Sequence, residues 1–235
     1  MSDLRPSALG TKVHWDNHYQ TELKNYKEFS DEGAIWFGRS SEKRILNYLS
    51  NCSTPLDSRI LDLGCGNGHF CLELAMQKYG FVTGIDYSEY AIDLAHNLLD
   101  NAQLSRKVSL MCMDFLSFES VRKLTDEAGP FDVVIDKGTF DAITLSPDDA
   151  DPMKTSEKSR ELYLLHVSHI LRPDGIIVIT SCNWTTEELR GQFERFFDGK
   201  KQLFQFFCEV PPLNTFTFGG VTGATTVCAV FKRLQ

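Results

Sequence analysis

Four aspartates that each close a short apolar run, and three glycines on alternate positions, concentrate the chemistry of this 235-residue chain. Ile60, Leu61 and Leu63 have the composition of a strand buried on both faces, and they lead into Gly64, Gly66 and Gly68. Phe70, Leu72, Leu74 and Ala75 then resume at helical spacing. Strand, glycine turn and helix in that order expose bare backbone at the carboxyl end of the strand, where a ligand can reach the peptide groups of Gly64, Cys65 and Gly66. A dinucleotide fingerprint, G-x-G-x-x-G, would need a third glycine where His69 stands. Asp62, ahead of the first glycine, would repel a pyrophosphate but can accept hydrogen bonds from an ammonium group. The pattern D-x-G-x-G-x-G therefore favours a nucleoside carrying an amino acid, such as S-adenosylmethionine, over a nicotinamide dinucleotide.

The other three acids extend the pattern. The runs Phe81–Ile85, Val108–Met113 and Phe131–Ile135 read as strands, ending at Asp86, Asp114 and Asp136. Ligands of open α/β sheets lie outside the carboxyl ends of the strands, so the four acids are expected to converge on one site. Asp86, 24 residues after Asp62, has the spacing of a ribose-hydroxyl acceptor, and Tyr87 beside it can lie against an adenine face. Asp114 can accept from the adenine amino group, with Phe115 in apolar contact. Acids also end strands and cap helices with no ligand at all. One of them would carry little weight; four with the glycine turn carry more.

The elements that must position these residues follow from periodicity. Trp15, Tyr19, Leu23 and Tyr26 make Lys12 to Phe29 an amphipathic helix. His14 and His18 sit four apart on it, but no third ligand is nearby and no metal is expected. The segment AIWFGRS either packs Trp36 and Phe37 on the core or folds Trp36 over the cofactor. A helix from about Ser41 to Leu49 follows, and Ser88 can cap another that runs through Leu99. Residues 145 to 158 are a polar link ahead of a helix from Ser159 to Leu171. Pro173-Asp174-Gly175 is a turn before the strand Ile176–Thr180, and Thr185 with Glu188 forms a capping box for a helix reaching Phe197. Leu203–Val210 and Thr225–Lys232 read as two final strands. Strand–helix alternation predicts an α/β, doubly wound (Rossmann-like) parallel sheet with an antiparallel edge. One domain over 1–235 is expected, with an amino-terminal helical and lid segment at about 12–50.

Composition excludes several classes. The apolar content of 42% and charged content of 24% are those of a soluble globular chain, and no apolar run is long enough to cross a bilayer. The amino terminus has no secretory core, so the cytoplasm is expected, with the nucleus also open. Seven scattered cysteines without a C-x-x-C read as reduced, mostly buried small hydrophobes. A net charge of −8 without a basic run argues against nucleic acid and suits a basic protein partner.

LDLGCGNG, GIDYS, MDF and FDVVIDKGTFDAI resemble the seven-strand S-adenosylmethionine-dependent methyltransferases over most of the chain. The resemblance implies sheet order 3-2-1-4-5-7-6 with strand 7 antiparallel. DKGTFDAI, SCNW, HWDNHY and IWFG resemble, more narrowly, the eukaryotic lysine methyltransferases that act on translation elongation factor 1-alpha. That resemblance implies a protein-lysine N-methyltransferase, taken as monomeric, with the substrate amine approaching near Asp136. Asp136 would then orient the nitrogen, and Asn183 and Trp184 would wall its channel, while Phe140 and Phe216 are read as core and Lys137 as paired with an acid. DKGT stands where other amino-group methyltransferases carry an N/D-P-P-Y tetrad, whose prolines and aromatic residue are absent. A small-molecule methyltransferase of the same fold and a non-catalytic cofactor-binding module stay open as alternatives.

Overall fold

Seven strands carry the molecule, and the alternation of their side chains explains both of its cores. The structure, a computed structural model, describes residues 4–147, 152–218 and 221–235, with backbone alone at 152–155, 216–218 and 221–222. The strands are β1 (Arg59–Leu63), β2 (Phe81–Asp86), β3 (Val108–Cys112), β4 (Phe131–Lys137), β5 (Leu171–Ser181), β6 (Phe204–Glu209) and β7 (Val227–Arg233). They form one sheet of order β3-β2-β1-β4-β5-β7-β6, with β7 antiparallel to both neighbours, as expected.

Leu61, Leu63, Val134, Ile177 and Ile179 face one apolar cluster. Ile60, Val133, Ile135 and Val178 face the other. Successive side chains leave a strand on opposite faces, so a strand buried on both must be apolar throughout. The first cluster is closed by α5 (Phe118–Ala128), α6 (Thr139–Thr144), α7 (Pro152–Ile170) and α8 (Thr186–Phe193), through Leu124, Phe140, Tyr163 and Phe193. The second is closed by α2 (Gly38–Asn51), α3 (His69–Met76) and α4 (Glu89–Asn101), through Ile45, Phe70 and Leu99. Phe140 is fully buried, as read; the side chain of Phe216 lies outside the described residues.

The helix α1 (Lys12–Phe29) starts where Thr11 caps it, its hydroxyl accepting from the His14 N–H at 3.2 Å. Leu23 packs against Leu94 and Leu98 of α4, so the amino-terminal half of α1 projects beyond the carboxyl edge of the sheet. That half carries Trp15 and Tyr19.

Several boundaries differ from expectation. The helix expected at Ser159 begins at Pro152, inside the segment read as a polar link, whose residues 148–151 lie outside the described ones. Polar composition alone does not separate a link from a helix that exposes one face. The last helix ends at Phe193, and a short strand pair, Phe197–Asp198 with Lys201–Gln202, takes up the chain. The turn at Pro173-Asp174-Gly175 is a bulge inside β5: Leu171 pairs with Phe131 and Ile176 with Val133. Ser88 occupies the N-cap of α4 without a side-chain cap bond. Cys65, Cys71 and Cys228 are buried, but Cys52, Cys112 and Cys182 are exposed; all seven are free.

Candidate active site

A cavity of ≈ 310 Å³ lies at the carboxyl ends of β1 to β4. Gly64, Cys65, Gly66 and Asn67 form one side, Ile85 to Tyr87 and Met113 to Leu116 the walls, and Lys137 to Thr139 the far end. Lys12, Trp15 and Tyr19 of α1 and Trp36 cover it. Gly64, Gly66 and Gly68 all have positive φ (72°, 53° and 76°), which glycine adopts without a Cβ penalty. A Cβ at Gly66 would stand 2.3 Å from the Tyr19 hydroxyl, so α1 and the turn approach as closely as glycine allows.

Asp86 is the acid that organises this end of the sheet. Its Oδ2 accepts from the Gly66 N–H at 3.0 Å and its Oδ1 from the Ser88 N–H at 2.9 Å. Burial raises its pKa to about 6, against those bonds, which favour the anion. Each oxygen retains acceptor capacity, as ribose hydroxyls require. Tyr87 lines the same wall, with the Lys12 ammonium 5.6 Å from its ring centre. Asp114 is exposed and accepts from the Leu116 N–H at 2.8 Å. Phe115 is buried, edge-on to Tyr163, and reaches the cavity. Trp36 is 36% exposed and stands edge-to-face with Trp15, ring centres 5.3 Å apart. Its indole nitrogen lies 2.7 Å from where a Cβ at Gly138 would be, so only glycine admits it there. Trp36 thus lines the cavity and is not part of the buried core.

Four expected site residues lie elsewhere. Asp62 and Asp136 do not line the cavity, and the sheet register explains why. Leu63, not Asp62, stands opposite Asp136, so the two acids leave the sheet on opposite faces. Asp62 is buried beneath the glycine turn, where Cys71 donates to it at 3.3 Å and burial lifts its pKa to about 6. Asp136 is fully buried, and every strong donor near it is already bound: the N–H groups of Gly138, Thr139 and Phe140 at 3.0, 2.9 and 2.9 Å, and the Tyr163 hydroxyl at 2.6 Å. Its oxygens cap the start of α6, and burial raises its pKa to about 7. Trp184 is a core residue 5.8 Å from Phe140, and Asn183 lies outside the cavity lining.

The motif pieces nonetheless meet. Asp141 accepts from the Ser181 hydroxyl at 2.5 Å and from the Cys182 N–H at 2.9 Å. The Ser181 oxygen accepts in turn from the N–H groups of Asn183 and Trp184. DKGTFDAI and SCNW are thus one hydrogen-bonded corner. Thr139 donates to the Leu63 carbonyl at 2.7 Å, tying the start of α6 to the end of β1. Lys137 lies 3.9 Å from Glu42, paired with an acid as read, and Glu42 holds His69 at 2.8 Å. Sequence reasoning missed Trp15, Tyr19, Asn67 and Thr139 as site residues. The aromatic spacing of α1 was a signal for the first two; Asn67, inside the glycine turn, carried none of its own.

A family model described as "Methyltransferase domain" matches residues 56–211. The chain is 40% identical to "EEF1A lysine methyltransferase 2" of Homo sapiens, covering 97% of this chain and 88% of that protein. It is 37% identical to "Protein-lysine N-methyltransferase efm4" of Schizosaccharomyces pombe, covering 99% and 97%. Among solved structures, magnesium protoporphyrin IX methyltransferase from Synechocystis with bound SAM superposes with TM-score 0.63 at 14% identity, covering 95% and 97% of the two chains.

Proposed function

The chain belongs to the methyltransferase-domain family, and on that premise we propose that it transfers a methyl group from S-adenosylmethionine to the ε-amine of a lysine in translation elongation factor 1-alpha. One observation carries the choice of substrate. Similarity to protein-lysine methyltransferases spans 97% to 99% of the chain, not only the cofactor-binding half.

The residues present fit this cofactor. Asp86 would take the ribose hydroxyls, Tyr87 and Phe115 the adenine faces, and Asp114 the adenine amino group. The backbone of Gly64 to Gly66 would take the amino-acid end, with Trp36 closing over it. When bound, the cofactor supplies an electrophilic methyl already activated by its sulfonium. What remains for the protein is to hold an amine in line and keep it neutral. A free lysine amine titrates near 10.4. An amine entering past Trp36, Leu116 and Ile143, which line the cavity, exchanges water for apolar contact, and that disfavours the ammonium form. Asp136 acts one step removed: by binding the N–H groups of residues 138–140 it sets the β4–α6 corner that the amine passes. A net charge of −8 favours encounter with a basic protein partner.

The test is mass spectrometry of purified elongation factor 1-alpha after incubation with the protein and labelled cofactor. A methylated lysine is expected. Label appearing in a metabolite while the elongation factor stays unmodified would replace this proposal with a small-molecule methyltransferase.

A further inference from the structure

Residues 30–36, between α1 and Phe37, belong to neither helix nor strand, and main-chain groups at 32, 34 and 36 are held by side chains of three other elements. The Asn67 amide, in the glycine turn, donates to the carbonyls of Glu32 at 3.0 Å and Ala34 at 3.3 Å. The Ala34 N–H donates to Glu22 Oε1, on α1, at 2.7 Å. The Trp36 carbonyl accepts from Lys137 Nζ, at the end of β4, at 3.2 Å. Glu22 is 8% and Asn67 6% exposed, so their three bonds are partly shielded from water, while the Lys137 bond lies at the exposed edge. Glu32 and Ala34 are themselves exposed. A segment with no backbone ladder and little buried apolar surface sits at the low end of local stability, so these contacts decide where it rests.

The donors are not independent of the cavity. The Asn67 Oδ1 accepts from the His69 N–H at 3.2 Å, fixing the end of the glycine turn with the same side chain that holds the segment. Lys137 is held by Glu42, and Glu42 by His69, the first residue of α3.

We propose that Glu22, Asn67 and Lys137 are positioning residues that strap residues 32–36 across the cavity, so that ordering of the glycine turn and closure of Trp36 occur as one event. The proposal rests on the S-adenosylmethionine reading only for its consequence on binding; the strap itself is a property of the ligand-free chain. Glu22 gives the cleanest test, because it does not line the cavity; besides the strap it pairs with His18 of α1 at 3.3 Å, a contact that Glu22→Gln weakens while keeping the acceptor for Ala34.

The experiment is hydrogen-exchange mass spectrometry on the full ligand-free chain, paired with calorimetry of S-adenosylhomocysteine binding. In Glu22→Ala and Lys137→Met, exchange in peptides covering 32–36 rises about tenfold, while peptides from β1 and from α2 beyond residue 42 keep wild-type rates. Glu22→Ala weakens S-adenosylhomocysteine about tenfold, and Glu22→Gln, which keeps an acceptor oxygen, restores both readouts to within about twofold. Should Glu22→Ala fail to fold, Lys137→Met with Lys137→Arg as its rescue decides the exchange arm. Wild-type exchange rates at the strap in both variants would overturn the proposal, as would full affinity in a Glu22→Ala protein whose strap exchanges freely. A wild-type chain that binds no S-adenosylhomocysteine would sink the cofactor reading instead, and the exchange result would still judge the strap.

Discussion

Asp86 holds the backbone of two loops that line the cavity, so its charge bears on both ligand and loop. Replacing it with alanine removes an acceptor for ribose and frees the Gly66 N–H. We expect Asp86→Ala to weaken S-adenosylhomocysteine by about 1.5–3 kcal/mol in calorimetry. The carboxylate form is the one that accepts from hydroxyls, and burial places its pKa at about 6. Affinity should therefore fall as the solution is taken from pH 7 to pH 5, and Asp86→Ala should flatten that dependence. A wild-type affinity unchanged over the range would remove Asp86 from ribose binding. Asp136 has a different fate. Its removal leaves the N–H groups of Gly138, Thr139 and Phe140 at the start of α6 and the buried Tyr163 hydroxyl without their acceptor, at a cost of about 2–4 kcal/mol. Asp136→Ala should lower the denaturant midpoint, while the fraction still folded binds S-adenosylhomocysteine within about tenfold of wild type. Wild-type stability with abolished turnover would return Asp136 to direct contact with the substrate.

At the scale of elements, the corner between α6 and the end of β5 holds the site's far wall. Ser181 receives two N–H groups and donates to Asp141, and Asp141 also takes the Cys182 N–H. A single hydroxyl thus fixes the turn that leads into α8. Ser181→Ala keeps the volume but strands Asp141 and the N–H groups of Asn183 and Trp184, costing about 1–3 kcal/mol. Chemical denaturation should show that loss. If Ser181→Ala is as stable as wild type, the corner is held by packing of Phe140 on Trp184 instead. The capping box at α8 is separate from this corner: Thr185 accepts from the Glu188 N–H, and Glu188 accepts from the Thr185 N–H.

Across the whole molecule, three buried acids share one electrostatic consequence. Asp62, Asp86 and Asp136 have pKa values of about 6, 6 and 7 in the folded chain, against 3.8 when unfolded. A raised folded pKa means that the native state keeps protons the unfolded chain has already released. Their contribution to stability is complete below pH ~4 and is lost as pH rises toward 7, with a ceiling of roughly 3 kcal/mol each for Asp62 and Asp86 and roughly 4 kcal/mol for Asp136. We expect the ligand-free protein to melt at a lower temperature at pH 7.5 than at pH 5.5. Saturating S-adenosylmethionine, by favouring the ionised form of Asp86, should narrow that gap. A melting temperature that rises steadily from pH 5.5 to 7.5 without ligand would show that these acids are stabilised as anions.

Much of this molecule was legible in its residues. Apolar runs ending on acids, glycines on alternate positions and the Thr185–Glu188 box each act over a few neighbouring residues, so the sequence alone determined the strands, the turn and the doubly wound sheet. What it left open was direction. Asp62 and Asp136 both end strands, but strand parity and the pairing of Leu63 with Asp136 send them to opposite faces, away from the cavity. Polar residues before Ser159 and glycine-turn Asn67 carried no local sign of their roles, because a helix face and a strap are made by what packs against them. Only the docking of α1 on α4 brings Trp15 and Tyr19 over the turn. That placement depends on contacts between residues some seventy positions apart, which the tertiary structure alone decides.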